Sequence, residues 1–233
     1  MYSIKKSTQP RSLVTYKNDP NASYEHLPKK VKMDIKWSLL TEQGFVCAYC
    51  MTPIDENKMR IEHWACQDDN EDLELDYSNM LACCTGNENQ RNEEYICDKM
   101  KSNKFLKYSP ACSDHKINER IYYEHGNGTI HSNVEEFDAQ LRSVLNLNYH
   151  RLVNNRKATL RAIHAKLEIV KKGGNATRND IESLLREVHS RKTTKVKRKD
   201  DSLEQGFTFE WPEKHKPFYG FLSDYLQHKL QRK

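Results

Sequence analysis

Residues 60–87 read RIEHWACQDDNEDLELDYSNMLACCTGN, a stretch that places an acid beside a histidine, then an asparagine, then two adjacent cysteines. The acid is Glu62, the histidine is His63 and the asparagine is Asn79. A C-x-x-C motif lies just upstream, at 47–50. Metal-binding thiols and an acid–base pair therefore occur together in one short part of the chain, and one kind of site should account for both.

The C-x-x-C motif is typical of a zinc knuckle, because a tight turn brings two thiolates to one tetrahedral ion. The first pair is Cys47 and Cys50, and the remaining candidates are Cys66, Cys83, Cys84, Cys97 and Cys112. A redox motif is the alternative, but the strand–CxxC–helix pattern of a thioredoxin is missing here. Adjacent side chains of an extended segment point to opposite faces. Only one of the cysteines at 83 and 84 is therefore expected to bind the metal, and the other to lie in the core.

The pair formed by Glu62 and His63 suits the hydrolysis of a phosphodiester. A carboxylate binds Mg²⁺ or another hard divalent ion, and a neutral histidine beside it takes a proton from the attacking water. Asn79 follows at a distance that lets the chain fold back as a hairpin, where its amide would hold the loop that carries His63. A solvated glutamate beside a half-buried histidine is the alternative for an isolated pair, and the neighbouring cysteines favour the catalytic interpretation.

The 233-residue chain has the composition of a polar globular protein, with 36% hydrophobic and 30% charged residues. Lysine and arginine exceed aspartate and glutamate by 38 to 33, a mild excess that permits nucleic-acid binding without requiring it. No apolar run is long enough to cross a bilayer, and the N-terminal MYSIKKSTQP lacks the apolar region of a secretory signal. We therefore expect a cytoplasmic protein, whose reducing surroundings favour metal-bound cysteines over disulfides.

The pattern of apolar residues and chain breakers predicts four segments. They are an N-terminal lead-in and helix at 1–44, a cysteine-rich module at 45–110, a β-turn and helical region at 111–190, and a basic linker with a C-terminal docking segment at 191–233. Residues 1–28 are predicted to be irregular, and the helix after them to end at Gly44. The module has no long periodic segment, so we expect a bound metal to take the place of a core there.

Three amphipathic helices are predicted in the third segment. Ser132 is the expected N-cap of the first, the second ends at the glycine pair 173–174, and the third covers about Asn179–Ser190. The sequence GNG at 126–128 predicts a turn between two short strands. In the fourth segment, six of the nine residues at 191–199 are basic, as in an exposed linker, and the aromatic ending is predicted to pack onto the body of the protein.

Together, the motifs I-E-H at 61–63, D-Y-S-N-M-L-A-C-C at 76–84 and C-D-K-M-K at 97–101, all downstream of C-A-Y-C, resemble the HNH nucleases of the ββα-metal type with zinc knuckles. The similarity is greatest to the HNH subunit of Septu-type bacterial anti-phage systems, which is encoded beside an ATPase and also occurs in some retrons. The resemblance covers about residues 39–110. It implies an α+β fold in which a ββα-metal HNH module with zinc knuckles is embedded in a mainly α-helical chain.

The resemblance also implies a role for each residue of the catalytic site. Glu62 and Asp98 would bind a catalytic Mg²⁺ or Mn²⁺ ion, and His63 would be the general base. Asn79 would be the central asparagine of the family, which holds the loop in place. Lys101 would be a contact to the nucleic acid.

The same resemblance selects among the cysteines. The asparagine of the family stands five residues before a zinc cysteine, a spacing that points to Cys84 and leaves Cys83 for the core. The structural zinc site would then consist of Cys47, Cys50, Cys84 and Cys97.

We therefore expect a metal-dependent HNH endonuclease that hydrolyses phosphodiester bonds in DNA or RNA. The resemblance implies that it is the effector subunit of an anti-phage defence complex with an ATPase partner. The chain carries no phosphate-binding loop motif, so the ATPase would be a separate protein. The alternative, from another functional class, is a zinc-stabilised nucleic-acid-binding or adaptor protein without catalysis.

Overall fold

A computed structural model describes residues 1–171, 174–191 and 213–232, together with the backbone of 195–197 and 208–210. Over these ranges the fold is mixed α+β, with helices predominating and with small sheets of two strands each. None of the helices in these ranges combines the length and the apolar content that crossing a membrane requires.

The described helices and strands follow one another as a mainly helical chain interrupted by antiparallel strand pairs. The helices are α1 (Arg11–Tyr16), α2 (Lys29–Gln43), α3 (Cys97–Lys101), α4 (Ile117–Arg120), α5 (Glu135–Ser143), α6 (His150–Val170), α7 (Arg178–His189) and α8 (Tyr219–Gln231). The strand pairs are β1 (Arg60–His63) with β2 (Met80–Cys83), β3 (Ile121–Glu124) with β4 (Thr129–Ser132), and β5 (Lys195–Lys197) with β6 (Thr208–Glu210).

The first strand pair positions the acid–histidine pair that the sequence singles out. In its register Glu62 lies opposite Leu81 and His63 lies opposite Met80. Strand β2 is buried along its whole length, and α2 packs against it. Gln43, the last residue of α2, extends the sheet, because its amide both donates to the Ala82 carbonyl and accepts from the Ala82 N–H at 2.8 Å. The predicted fold-back is confirmed, and the hairpin is held firmly by the helix before it.

The cysteine-rich module has an apolar core that it shares with the rest of the protein, contrary to the expectation that a metal would take the place of a core there. Phe45 and Tyr49 of the knuckle and Leu81 of β2 are at most 2% exposed. These side chains belong to one continuous cluster of buried residues that reaches as far as Leu226 in α8. The sequence pattern of 45–110 conceals this core because its apolar residues lie in short strands and turns, without a long period.

The C-terminal helix packs onto the body of the protein, as its apolar spacing predicted. Phe221 and Leu226 of α8 are fully buried, and α8 packs along α7. The N–H of Phe218 donates to the carbonyl of Met51 at 3.1 Å, which joins this ending directly to the zinc knuckle. Of the basic stretch 191–199, residues 192–194 and 198–199 lie outside the described residues. Arg191 donates hydrogen bonds to two backbone carbonyls at the end of α2.

Two predicted helix features are wrong in detail. The lead-in at 1–28 contains α1, a helix of six residues that is too short to produce a recognisable period and that buries Leu13. Ser132 is the last residue of β4 and not the N-cap of α5, whose N-cap is Val134. The helix therefore begins two residues later than predicted. The Ser132 hydroxyl accepts from the Val134 N–H at 3.1 Å and donates to the Arg120 carbonyl at 2.7 Å, so it joins the strand to the helix.

Replacing Gly44 with alanine should destabilise the protein. Gly44 ends α2 in the left-handed region, with φ of +62°, and a Cβ atom there would lie 2.4 Å from Cδ2 of His215. Left-handed backbone alone costs a non-glycine residue about 1–2 kcal/mol, and the collision with His215 adds to this cost. The control is Gly126→Ala, since a Cβ atom at Gly126 meets nothing within 4 Å. Equal free energies of unfolding for the two variants, measured with denaturant, would contradict this account of Gly44.

Candidate metal centre and acid–histidine site

Four thiols from distant parts of the chain come together beside the β1–β2 hairpin. They belong to Cys47, Cys50, Cys84 and Cys97, and their sulfur atoms all lie within 4.8 Å of one another. The sulfurs of Cys50 and Cys84 are 3.8 Å apart. A tetrahedral ion with Zn–S bonds of about 2.3 Å requires sulfurs about 3.8 Å apart. The cluster therefore fits a metal ion such as zinc, and it contains the four cysteines that the sequence predicted.

The knuckle is a tight turn whose backbone hydrogen bonds fix both of its thiols. The N–H of Cys47 donates to the Thr52 carbonyl at 2.9 Å, and the N–H of Met51 donates to the Cys47 carbonyl at 3.0 Å. Met51 takes a left-handed conformation, with φ of +63°, to close the turn. The hydroxyl of Thr52 lies 3.0 Å from the sulfur of Cys50. Such a contact around a ligand sulfur helps to orient it toward a metal.

The adjacent cysteines at the end of β2 have different environments. Cys83 is the last residue of the strand and is fully buried in the core, whereas Cys84 is partly exposed and belongs to the four-thiol cluster. Burial raises the pKa of the Cys83 thiol well above its usual range, so this thiol remains neutral. Only one of the two belongs to the four-thiol cluster, in agreement with the prediction that one of them lies in the core. Cys66 and Cys112 are not members of the cluster.

Glu62 is a buried carboxylate with a specific set of partners. Its Oε1 atom accepts a hydrogen bond from the hydroxyl of Tyr49 at 3.0 Å and pairs with Nζ of Lys101 at 2.9 Å. Burial first, and then the neighbouring Asp98 carboxyl, raise the pKa of Glu62 well above its usual range, while Lys101 opposes the shift. Two acidic groups are thus held together at one place, where a divalent cation would relieve their repulsion and favour their ionised form.

His63 is held in the form that can accept a proton. Its Nε2 atom lies 2.9 Å from the backbone carbonyl of Glu74, and because a carbonyl only accepts, Nε2 carries the hydrogen and Nδ1 keeps a free lone pair. Burial lowers the pKa of His63, which keeps the ring neutral near pH 7. The ring of Tyr24 meets the imidazole edge to face, with 4.5 Å between the ring centroids.

Asn79 fixes the loop that follows His63, as the sequence predicted. Its Oδ1 atom accepts from the N–H of Ala65 at 2.8 Å, and its Nδ2 atom donates to the carbonyls of Ala65 at 3.0 Å and Leu73 at 3.3 Å. The N–H of Trp64 donates in turn to the Asn79 carbonyl. One side chain thereby ties together the beginning and the end of the loop between β1 and β2, and the loop supplies the carbonyl of Glu74 that orients His63.

The position of Lys101 contradicts its predicted contact with nucleic acid. Its side chain is 1% exposed, and its ammonium group donates to the His63 carbonyl at 3.1 Å in addition to pairing with Glu62. A buried cation in this position supports the acid–histidine pair from inside the protein and does not reach a ligand at the surface. The spacing contained a signal for this burial: Lys101 follows Cys97 by four residues, so the two share one face of α3.

Two tyrosines of the site were not among the site residues predicted from the sequence. Tyr49 stands inside the C-A-Y-C motif and donates to Glu62, so its position between two metal ligands was an available signal. Tyr24 comes from the lead-in and faces His63, and nothing in the sequence around it indicates this contact. Burial raises the pKa of Tyr24 to about 12, so its hydroxyl stays protonated.

Glu62, His63 and Asp98 line one cavity of about 430 Å³. Lys32 and Lys36 of α2 also line it. The site therefore combines two acids, a neutral histidine and a basic helix face, beside a four-thiol cluster.

Comparison with known proteins does not assign this chain to a class. A scan against models of protein families finds no match, and a search of curated proteins finds no relative.

Proposed function

We propose that this protein is a metal-dependent endonuclease of the HNH type. The observation that supports the proposal most is the meeting of Glu62, His63 and Asp98 at one cavity. Two further features agree with it. Glu62 and His63 lie on β1, which pairs with β2, and Asp98 lies on the helix α3 that follows the two strands, an order that agrees with a ββα-metal module. The four-thiol cluster directly adjoins Asp98 through Cys97.

In this proposal Glu62 and Asp98 would hold a Mg²⁺ or Mn²⁺ ion. When bound, such an ion stabilises the negative charge that develops on the phosphate and on the leaving oxygen. Tyr49 and Lys101 occupy Oε1 of Glu62 and so fix the direction of its carboxylate. Hard oxygen donors suit these ions, whereas the thiol cluster suits zinc.

His63 is the general base of the proposed reaction. Its Nδ1 atom takes a proton from the water that attacks the phosphorus, and the lowered pKa means that this atom is free to do so near neutral pH. The hydrogen bond from Nε2 to the Glu74 carbonyl fixes the ring and stabilises the cation that forms. Asn79 has no part in the proton transfer and acts through the loop that carries Glu74.

A nicking assay tests the proposed activity. Supercoiled plasmid and a structured RNA are each incubated with purified protein, with and without added Mg²⁺ or Mn²⁺. We expect cleavage of at least one substrate that depends on the added ion, and strong loss of it in Asp98→Ala. Asp72→Ala, an acidic position that is exposed and does not line the cavity, is the matched control. Metal-independent binding without any cleavage would favour the alternative, a zinc-stabilised nucleic-acid-binding or adaptor protein.

We also propose an ATPase partner within a bacterial anti-phage defence complex, supported by the resemblance of the module's motifs to the Septu-type HNH subunit. We expect the protein to co-purify with an ATPase encoded beside it, and Asp98→Ala to leave this association unchanged. Failure of the parent protein to bind such an ATPase would make a solitary nuclease the better account. Deleting 200–233 would not test the interface, because it removes Phe221 and Leu226 of α8 from the core.

A further inference from the structure

Two lysines on one face of α2 border the cavity that contains the acid–histidine pair. Lys32 and Lys36 are four residues apart, so their side chains leave the helix in nearly the same direction. Nζ of Lys36 donates to the backbone carbonyl of Glu56 at 3.1 Å, and Nζ of Lys32 lies 5.3 Å from the ring centroid of Tyr24. Both contacts help to fix the positions of the ammonium groups, but neither neutralises them, because a carbonyl and an aromatic ring carry no net charge.

Neither lysine takes part in an ion pair within the part of the chain that the structure describes. Within the described ranges, neither ammonium group has a carboxylate oxygen within 4.0 Å. Arg60, which lines the same cavity, is different, since it forms an ion pair with Glu88. A cation that packs against a carbonyl or an aromatic ring and lacks an acidic partner is available to an anionic ligand.

The opposite charge is concentrated in the loop between β1 and β2. Residues 68–76 contain six aspartates and glutamates, and Asp68 of this loop also lines the cavity. A polyanion would be repelled by this loop and attracted by α2. The Cβ atoms of residues i and i+4 on a helix are about 5–6 Å apart, which lets two flexible lysines reach neighbouring phosphates of one strand.

We propose that Lys32 and Lys36 bind backbone phosphates of the nucleic-acid strand that carries the scissile bond. The strand then runs along α2 and away from the acidic loop 68–76, and its phosphodiester meets His63 at the cavity. This inference rests on the proposed nuclease function and adds the surface that the substrate occupies. It replaces Lys101, which is buried, as the source of phosphate contacts.

The test is equilibrium binding of a labelled oligonucleotide without added divalent ions, so that no strand is cut. At about 0.1 M monovalent salt, loss of one phosphate contact should weaken binding about fivefold to eightfold and make the negative slope of log K against log salt less steep by about 0.7–0.9. We expect these changes in Lys32→Gln and in Lys36→Gln. Lys30→Gln is the control, because Lys30 is exposed on the same helix and does not line the cavity. Thermal melting checks that all three variants are folded.

Unchanged affinity and salt slope in both Lys32→Gln and Lys36→Gln would overturn the inference. An equal loss of affinity in Lys30→Gln would also overturn it, and so would a parent protein that binds no oligonucleotide. Cleavage is measured separately with Mg²⁺ or Mn²⁺. If the parent cuts nucleic acid and both lysine variants bind like the parent, the proposed lysine surface is contradicted and the nuclease function is supported. If the parent never cuts nucleic acid but Lys32→Gln and Lys36→Gln both bind the oligonucleotide more weakly than the parent, the lysine surface is supported and the nuclease function is contradicted.

Discussion

Cys84→Ser is expected to lower the zinc content and destabilise the protein, whereas Cys83→Ser should retain about one zinc ion per chain. Structural zinc contributes about 10–16 kcal/mol to the folding of small zinc-finger peptides, so losing one of four ligands is severe. Cys83 is buried outside the cluster, and replacing its thiol with a hydroxyl costs about 1–3 kcal/mol for burying an unpaired polar group.

The measurement is metal content by elemental analysis, together with thermal melting of both variants and the parent. The two substitutions make the same chemical change at adjacent positions, so their difference reports the geometry alone. Zinc loss in Cys83→Ser with zinc retained in Cys84→Ser would mean that the strand β2 is placed one residue out of register.

His63→Ala should lower the cleavage rate about 10²–10⁴-fold, the usual contribution of a general base. The protein should keep its zinc, because the four thiols do not involve this side chain. Burial lowers the pKa of His63, and a base works in its neutral form, so cleavage by the parent should persist below pH 7 and decline only as the ring becomes protonated. The readouts are the nicking rate across a pH series and the melting temperature.

His150→Ala is the matched control for this experiment. His150 is exposed on α6 and does not line the cavity, so its loss should leave the nicking rate within error of the parent. Undiminished cleavage in His63→Ala would remove this histidine from the mechanism. A collapsed melting curve would instead assign it a structural role.

Part of the four-thiol cluster could be predicted from local signals, whereas the choice of Cys84 and Cys97 among the other cysteines rested on the resemblance to HNH nucleases. The spacing of Cys47 and Cys50 identifies a knuckle, and the opposite directions of adjacent residues in a strand separate Cys83 from Cys84. The hairpin that brings Asn79 back beside the loop of His63 was predictable from the same stretch. These features were predictable because each depends on residues within one turn, one strand or one hairpin.

Other parts of the site depend on contacts between distant segments, and these could not be predicted. Tyr24 reaches His63 from the lead-in, 39 residues earlier in the chain. Lysine is usually a surface residue, and the burial of Lys101 follows from the packing of α3 against the hairpin. The shared core of the module and the terminal helix also requires long-range packing that no short pattern reveals. The nuclease activity and the ATPase partner stay predictions.

The wide separation in sequence of the four clustered cysteines has a consequence for protein synthesis. A ribosome adds about 5–20 residues per second, so the interval between Cys50 and Cys97, 47 residues, lasts roughly 2–10 s. For most of this time a nascent chain already contains His63 but cannot close the thiol cluster, and Asp98 is added immediately after the final thiol. The acid that would complete the proposed catalytic site thus arrives with the last thiol of the cluster, so neither the cluster nor the proposed site can form before that point of synthesis.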